Sequence, residues 1–374
     1  MTDVVALRRD LHAHPELAFA EHRTTELIVD HLTGLGLRPQ VLPGGTGVVC
    51  DIGDGGSVVA LRADIDALPI TDLKDVPYRS TVEGVCHGCG HDAHTAILLA
   101  AATELVAAAP GGVVRLVFQP AEETVPGGAV SVVSAGVLEG VQQIFALHCD
   151  PRLDTGSIGV RVGAITAACD YLDVTLHSPG GHTARPHLTA DLVYAAGLLI
   201  TELPGVLSRR VDPRASLSLV WGSVEAGRAA NAIPTSGWLR GTVRVLDRAA
   251  WDAAEPLVRD LIAQLVAPTG VRAQTSYVRG LPPVVNHASA VDLQSAAVLA
   301  ALGADALTQT EQSMGGEDFA WYLESVPGAL ARLGVRRPGG AAFDLHQGTF
   351  DIDEDALDIA VRYTVALAHT ALGS

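Results

Sequence analysis

Three apolar runs in the first half of the chain each end in side chains that can carry charge or bind a metal. The runs are residues 58–63, 113–118 and 144–147. The side chains that follow them are Asp64, Asp66, Glu122, Glu123 and His148. Such runs are typical of buried strands, and a helical stretch at 93–109 separates the first two, so the pattern predicts a layered α/β domain with a mixed sheet at its core. Ligands bind such sheets at the carboxyl ends of the strands.

From about residue 168 the pattern changes to strands that alternate apolar and polar residues, as in a sheet with one solvated face. The predicted order is strand, helix, strand, strand, helix, strand, which describes a small ferredoxin-like sandwich (βαββαβ). The predicted elements are residues 171–177, 189–203, 215–224, 237–246, 248–267 and 271–278. We expect this domain to span residues 168–280 and to be inserted into a domain formed by residues 1–167 and 281–374, where apolar helices resume.

The length and composition of the chain limit what it can do. A chain of 374 residues is long enough for about two domains. Its formal net charge of −17 argues against nucleic acid or an anionic membrane surface, because both attract basic proteins. The N-terminus lacks the basic and then apolar pattern of a signal peptide, and the five cysteines do not form the regular framework of a small secreted domain. We therefore expect a cytoplasmic protein.

Residues 3–37 are predicted to form helical segments interrupted at the step from His14 to Pro15. The reason is that the residue before a proline leaves the helical conformation. Arg8 and His12 precede this break and could face a cleft, but the simpler interpretation is a solvated helix end.

The segment from Gly84 to Ala96 concentrates metal-binding side chains. Two cysteines, three histidines and one aspartate fall between Cys86 and His94, among glycines that allow tight backbone turns. Thiolate and imidazole are the ligands that zinc and its first-row neighbours prefer. On its own, the segment is equally compatible with a redox-active Cys-x-x-Cys pair or with polar loop histidines.

A wider set of residues contains more ligands than one enclosed zinc ion needs. The set comprises Cys89, His91, Glu123, His148 and His346. A structural zinc site usually takes four ligands, whereas two divalent ions that share bridging ligands would use this set naturally. The adjacent Glu122 need not coordinate a metal and is the candidate general base for a water molecule. Imidazole, carboxylate and one thiolate would accept zinc, manganese, cobalt or nickel.

Seven segments resemble the dinuclear metal aminoacylase/carboxypeptidase family, and most closely its branch of N-acyl-amino-acid amidohydrolases, hippurate hydrolases and indole-acetyl-amino-acid hydrolases. The segments are residues 9–16, 61–69, 89–96, 119–123, 181–187, 231–234 and 315–320. Each segment alone is moderately specific, but seven in the same order along the chain are highly specific.

The resemblance implies roles in the first domain. The metal ligands would be Cys89, His91, Glu123, His148 and His346, which implies two divalent ions per subunit. Glu122 would be the catalytic base. The wider family begins its first metal motif with a histidine, and this chain has Asp64 there. We therefore interpret Asp64 and Asp66 as groups that orient the ligands, with Asp66 counted among the catalytic residues.

The resemblance also implies roles in the inserted domain, which would act as a lid and as a dimerisation surface. It implies a homodimer, with a homotetramer as the alternative. His182 would reach a neighbouring subunit's site and help to hold the developing oxyanion. Asn231 and Arg244 would bind the carboxylate side of the substrate, for which a guanidinium is well suited because it can make two parallel hydrogen bonds.

Some residues depart from the family's pattern. Cys86 and Gly88 replace Met and Ala, and Cys149 stands where an aliphatic residue is usual. An extra thiol near a metal pair could alter metal choice or redox sensitivity, but we interpret Cys86 and Cys149 as small buried fillers. Three further histidines are interpreted as packing or supporting residues: His87, His94 and His187.

The activity implied is metal-dependent hydrolysis of the amide bond of N-acyl amino acids, which are small-molecule substrates. One alternative is a dipeptidase or carboxypeptidase of the same family. Another is a non-catalytic metal-binding protein, although such a protein would not need the adjacent Glu122 and Glu123 or the loop that carries His182. The residues that would select the acyl group are not identifiable from the sequence.

Overall fold

The computed structural model describes residues 2–341 and 343–373. This part of the chain divides into two compact units. The first unit runs up to Ile165 and resumes over Val284–Glu311 and from Asp318 onwards, and the second comprises Thr166–Pro283 and Gln312–Glu317. The sequence assigns the short segment 312–317 to the first domain, whereas here it belongs to the second unit.

Backbone hydrogen bonds explain the position of that short segment. The Ala167 N–H donates to the carbonyls of Ser313 and Gly315, at 3.1 and 3.2 Å. An isolated bridge also pairs Thr166 with Ser313. The segment is therefore held by the first residues of the second unit, a long-range pairing that its own sequence does not reveal.

The secondary structure follows the predicted order closely. The strands are β1 (Gln40–Val41), β2 (Val48–Ile52), β3 (Val58–Asp64), β4 (Val113–Gln119), β5 (Val141–Asp154), β6 (Ile158–Val160), β7 (Gly163–Thr166), β8 (Ala168–His177), β9 (Gly181–His182), β10 (Ser218–Ala226), β11 (Ala232–Ile233), β12 (Ser236–Val245), β13 (Arg272–Leu281), β14 (Val284–Asn286), β15 (Leu307–Gln309) and β16 (Gly328–Arg336). The α-helices are α1 (Val4–Ala13), α2 (His22–Gly34), α3 (His91–Ala108), α4 (Ala129–Ser134), α5 (Leu192–Arg210), α6 (Arg248–Val266), α7 (Ala288–Ala301), α8 (Ala320–Leu323) and α9 (Asp355–Leu372).

The first unit is built on a mixed sheet with the strand order β1-β2-β4-β3-β5-β16-β6-β15. β3 is parallel to β4 and to β5, and β16 is parallel to β5, whereas β2 pairs antiparallel with β4. Successive residues of β4 face opposite layers. Phe118 packs in a core with α3 and α9, and Val117 packs in a second core with α4 and α8. The predicted layered α/β architecture with a mixed sheet is confirmed.

The apolar helices expected after the inserted domain are present, but the sequence does not identify one strand between them. α7 and α9 are helical, but β16 is a strand in the middle of the sheet. Its sequence is rich in Gly, Ala and Leu, which favour strands only weakly. Eight of its nine residues are buried, and it pairs with β5 on one side and β6 on the other. Tertiary burial, rather than local propensity, determines its conformation.

The second unit is the predicted ferredoxin-like sandwich. Its sheet has the order β10-β12-β8-β13, and each neighbouring pair is antiparallel. α5 and α6 pack against this sheet and against each other. The chain order β8, α5, β10, β12, α6, β13 is the βαββαβ order that the sequence predicts.

α5 is long and apolar enough to cross a membrane by length and composition alone. Its sequence is nevertheless that of an amphipathic helix packed in a protein core. The buried residues are Leu192, Ala195, Ala196, Leu199, Leu203 and Leu207. They recur mainly at intervals of three and four and so form one buried face of the helix. Val193, Tyr194 and Ile200 are exposed, so this face accounts for only part of the apolar composition.

The buried carboxylate of Asp170 joins three elements of the second unit. Its Oδ2 accepts hydrogen bonds from the indole N–H of Trp251 (2.8 Å) and from the hydroxyl of Tyr277 (2.7 Å). Its Oδ1 accepts from the Gly280 N–H (2.9 Å). The carboxylate therefore satisfies three donors that would otherwise be unpaired in the protein interior.

We predict that Asp170→Ala lowers the free energy of unfolding of the second unit by about 3 kcal/mol or more, because it leaves the three buried donors without an acceptor. Asp173→Ala is the matched control, since Asp173 lies on the same strand but is half exposed and makes only a 3.7 Å ion pair with Arg240. Its effect should be below about 1 kcal/mol. Urea unfolding followed by tryptophan fluorescence measures both values, and equal shifts would contradict this interpretation.

Candidate metal centre

The start of α3 brings Cys89 and His91 to the carboxyl ends of the strands. Gly90, between them, has φ +94°, a conformation that residues with a side chain rarely adopt. A Cβ at this position would lie 2.9 Å from Sγ of Cys149, on β5. Only glycine therefore allows the chain to turn into α3 so close to β5.

The structure brings the five predicted metal ligands together. Sγ of Cys89 lies 3.6 Å from Nε2 of His148, and Oε1 of Glu123 lies 3.4 Å from Nε2 of His346 and 3.9 Å from Nε2 of His91. Cys89, His91 and His148 form one group of ligand atoms within 4.8 Å of one another, and Cys89, Glu123 and His346 form another. Residues from the first quarter and the last tenth of the chain thus meet at one point.

These donors fit divalent metal ions. Nε2 of His91 and Oε1 of Glu123 are buried and have no hydrogen-bond partner among the described residues, which is costly unless a cation binds them. Burial and the nearby Glu123 and Glu122 carboxylates raise the pKa of the Cys89 thiol well above its usual value. A cation would reverse that effect and favour the thiolate that metals bind. The mixture of imidazole, carboxylate and thiolate suits zinc and related first-row ions.

The charge balance at His91 also fits the binding of a cation. Burial disfavours protonation of this imidazole, but the carboxylates of Asp64, Asp66 and Glu123 outweigh it and raise its pKa to about 10. An excess of buried negative charge therefore surrounds the ring. A metal ion would supply the positive charge that the proton otherwise supplies.

Asp66 orients two of the predicted ligands. Its Oδ2 accepts the Glu123 N–H at 3.0 Å, and its backbone carbonyl accepts Nδ1–H of His91 at 2.9 Å. Because Nδ1 is occupied as a donor, Nε2 of His91 is the ring nitrogen left to bind a metal ion in place of the proton. The sequence-based role of Asp66 as an orienting group fits this geometry and stays a prediction.

A chain of hydrogen bonds from Asp64 orients His148. Oδ1 of Asp64 accepts Nδ1–H of His94 (2.6 Å), and Nε2 of His94 accepts the Cys149 N–H (2.9 Å). The Cys149 carbonyl in turn accepts Nδ1–H of His148 (2.8 Å), which leaves Nε2 of His148 towards Cys89. Burial, Arg332 and His94 all lower the pKa of His148, so this ring is neutral, as a metal ligand must be.

The interpretation of the first helix as a solvated end is wrong. Arg8 and His12 are 1% and 0% exposed. Asp92 Oδ2 accepts hydrogen bonds from Nε of Arg8 and from Nδ1 of His12, both at 2.7 Å, and Asp72 lies 3.2 Å from the other ring nitrogen of His12. This network holds Asp92, directly beside His91. The spacing of four residues places Arg8 and His12 on one face of the helix, but it does not indicate that this face is buried.

The remaining cysteines and histidines lie outside the five-ligand set. Cys86 and Cys149 are completely buried, and burial raises the pKa of the Cys86 thiol to about 11. His87 is also buried, neither of its ring nitrogens has a hydrogen-bond partner in the described part of the chain, and burial lowers its pKa to about 3. His187 is exposed.

Two of the predicted substrate-binding residues lie together in the second unit. His182 is in β9, which pairs with β11, and the Thr183 N–H donates to the carbonyl of Asn231 at 3.2 Å. Both His182 and Asn231 are exposed. Arg244 lies on β12 and donates from Nη1 to the carbonyl of Met314 at 2.5 Å. The roles of these three residues stay predictions.

A layered α/β domain that gathers a cysteine, three histidines and several carboxylates at its strand ends is the architecture of a metal-dependent hydrolase. Residues 60–370 match the sequence profile of Peptidase family M20/M25/M40. The chain belongs to this family, as the resemblance of its seven segments predicts.

Relatives and a solved structure agree with this assignment. Two Bacillus subtilis proteins named N-acetylcysteine deacetylase and N-acetyl-L-cysteine deacetylase are 38% and 37% identical; they match 98% and 99% of this chain over 96% and 88% of their own lengths. "Thermostable carboxypeptidase 2" of Saccharolobus solfataricus is 32% identical over 99% of this chain and 94% of its own length. The Bacillus subtilis YXEP protein, described as a dinuclear metal binding peptidase of the M20 family, superposes with a TM-score of 0.87 at 35% identity, covering 99% of this chain and 98% of that structure.

One relative is longer than this chain. The "Putative glutamate--cysteine ligase 2-3" of Rhodococcus jostii is 54% identical over 97% of this chain. The chain spans only 46% of that relative, so the other half of the relative has no counterpart in the match. The name of the relative therefore need not describe the matched half.

We predict that Cys89→Ala and His148→Ala each reduce the divalent metal bound per chain and weaken its affinity by about 100-fold or more, because each removes a donor at the centre. Cys86→Ala is the matched control, since this buried thiol lies three residues away and outside the ligand groups. Elemental analysis after dialysis against a chelator series measures the bound metal. An equal loss in the Cys86 variant would contradict the assignment.

Proposed function

We propose that this chain hydrolyses the amide bond of N-acyl amino acids, using two divalent metal ions and Glu122 as the general base. The observation that carries the proposal is the convergence of five ligand-type side chains beside a further carboxylate. Oε2 of Glu122 lies 4.0 Å from Nε2 of His91, and Glu122 is 8% exposed. The identity of the ions, among zinc, manganese, cobalt and nickel, is not fixed by these donors.

The residues of the chain have distinct tasks in this mechanism. The ions would be held by Cys89, His91, Glu123, His148 and His346. When bound, they supply positive charge that lowers the pKa of a water molecule and polarises the amide carbonyl. Glu122 takes a proton from the attacking water and later donates it to the leaving amine. Asp66 keeps the Glu123 backbone and the His91 ring in place through the hydrogen bonds described above.

The second unit supplies the substrate contacts in this proposal. His182 of a neighbouring subunit donates a hydrogen bond to the developing oxyanion, and Asn231 and Arg244 bind the carboxylate of the amino acid. A homodimer, or a homotetramer, is therefore part of the proposal. The exposed valines of the edge strand β10 support it, since Val220 and Val224 are 60% and 51% exposed. A cytoplasmic location belongs to the same proposal.

We propose an N-acylcysteine as the substrate. Two relatives that match almost the whole chain are named as deacetylases of N-acetylcysteine. The relative that is 54% identical, of which this chain spans 46%, is named as a putative glutamate–cysteine ligase. Deacetylation releases free cysteine, which is the amino acid that such a ligase consumes. The two names thus point to consecutive reactions of cysteine.

A carboxypeptidase or dipeptidase activity is the second candidate. It is favoured by the 32% identity to the carboxypeptidase of Saccharolobus solfataricus over nearly the whole chain. Both reactions cleave a linear amide next to a free carboxylate, so the ligands and the base would be the same. Only the group on the acyl side of the bond differs.

We predict that kcat/KM for N-acetylcysteine exceeds that for N-acetylserine by at least about tenfold, because a pocket that fits a thiol discriminates modestly against a hydroxyl. The same assay is run with benzoylglycine, indole-acetyl amino acids and the dipeptide glycylcysteine. Each substrate is tested with protein reconstituted with zinc, manganese, cobalt or nickel. Faster cleavage of the dipeptide than of any N-acyl amino acid would establish the peptidase instead.

We predict that Glu122→Gln lowers kcat by about 100- to 10,000-fold, because the amide cannot accept the proton of the attacking water. Its metal content should stay at the level of the unmodified protein, since Glu122 is not among the proposed ligands. Glu139→Gln, which removes an exposed charge on the same unit, is the control. Unchanged turnover in Glu122→Gln would refute its role as the base.

A further inference from the structure

The turn that carries Glu122 and Glu123 begins with a strained residue. Ala121 has φ +56°, in the left-handed region that residues with a side chain avoid. His346, a predicted metal ligand, and Phe19 share this property, with φ +61° and +60°. Such conformations persist only where surrounding contacts hold them, and they are common at functional sites.

Glu21 provides such a contact for Ala121 from a distant part of the chain. Its carboxyl group is completely buried, and its Oε1 accepts the Ala121 N–H at 2.8 Å. Its other oxygen, Oε2, is buried and has no hydrogen-bond partner within residues 2–341 and 343–373. Burial raises the pKa of this carboxyl, which shows that its position is unfavourable for a charged group.

Capping of α2 does not explain why a carboxyl is buried here. Glu21 occupies the residue before the helix, but its side chain makes no capping hydrogen bond. The side chain of Glu16 does so instead, because its two oxygens accept the N–H groups of Arg23 and Thr24 at 2.9 and 2.8 Å. The Glu21 carboxyl is thus available for the Ala121 turn.

The same turn is held by further hydrogen bonds. The Ala121 carbonyl accepts the Gly128 N–H at 2.8 Å and the Thr124 hydroxyl at 3.3 Å, and the Glu123 N–H donates to Oδ2 of Asp66 at 3.0 Å. The backbone is therefore held on either side of Glu122. Glu21 is the contact that holds the N–H of the strained residue, next to the bond whose rotation sets φ.

We propose that Glu21 is a positioning residue that holds Ala121 in its left-handed conformation and thereby fixes the direction of the Glu122 side chain. This inference rests on the proposed role of Glu122 as the general base. It requires an oxygen acceptor at residue 21 and not a negative charge. The uncharged Glu21→Gln retains such an acceptor, whereas Glu21→Ala does not.

The first experiment does not depend on any substrate. Hydrogen–deuterium exchange of the metal-free protein is followed in a peptide that contains residues 121–123. Exchange at this peptide should be at least about tenfold faster in Glu21→Ala, because the N–H of Ala121 loses its acceptor, and close to normal in Glu21→Gln. Glu26→Ala, an exposed glutamate on α2, is the control and should leave the rate unchanged. Unchanged exchange in Glu21→Ala would overturn the proposal, even if no substrate were found.

The second experiment separates positioning from simple destabilisation. Glu21→Ala should lower kcat by about 10- to 100-fold with little change in KM, and Glu21→Gln should recover most of that loss. Adding Ala121→Gly to Glu21→Ala should also recover part of kcat, because glycine adopts positive φ without strain. If neither change restores kcat, Glu21 does not act through the Ala121 backbone.

Discussion

Buried negative charge at the ends of β3 and β4 is the constraint on which the rest of the first unit depends. Four carboxylates have an oxygen 3.3–4.0 Å from a ring nitrogen of His91: Asp64, Asp66, Glu122 and Glu123. Such a group of carboxylates is tolerated in a protein interior only when cations or donors compensate it. Part of the compensation is internal, because the buried Arg62 donates to Asp64 at 2.7 Å and to Asp318 at 3.0 Å. The part nearest to Cys89 and His91 is what a metal ion would supply.

The elements of the fold are arranged to deliver these groups to one place. β3 and β4 are parallel neighbours, so their carboxyl ends carry the acids to the same edge of the sheet. α3 begins at this edge, and the partial positive charge of its N-terminus favours nearby carboxylates. Gly90 allows the close approach to β5, and β5 delivers His148. The sheet topology, and not any single motif, therefore assembles the centre.

The sequence predicts the parts of this arrangement that depend on local pattern. Apolar runs reveal β3 and β4, and ligand chemistry selects Cys89 and His91, because each signal is contained in a few adjacent residues. β16 is missed because its burial on both faces depends on β5 and β6, which its own composition does not indicate. In the same way, a pattern reports that a residue is apolar or polar, but not which distant residue it meets.

The supporting residues show this limit most clearly. Arg8 meets Asp92 across 84 residues, and Glu21 meets Ala121 across 100. Both glutamate and arginine are usually solvent-exposed, so a sequence gives no reason to bury them. Their burial becomes understandable only when the partner is known. Residues that hold the catalytic groups in place are thus harder to identify from one sequence than the groups themselves.

The anchoring of the donors also bears on whether the metal serves structure or chemistry. In a structural metal site the ligands have few other contacts, so the metal itself organises the chain. Here the backbone at or beside three of the ligands is held by other protein groups: the N–H of Glu123 by Asp66, the N–H of Cys149, which follows His148, by His94, and the N–H of His346 by the Gly88 carbonyl at 2.8 Å. The protein's own hydrogen bonds therefore help to position the donors, which is how reactive sites limit reorganisation during a reaction. This preorganisation argues for a catalytic centre and against a metal site that only stabilises the fold.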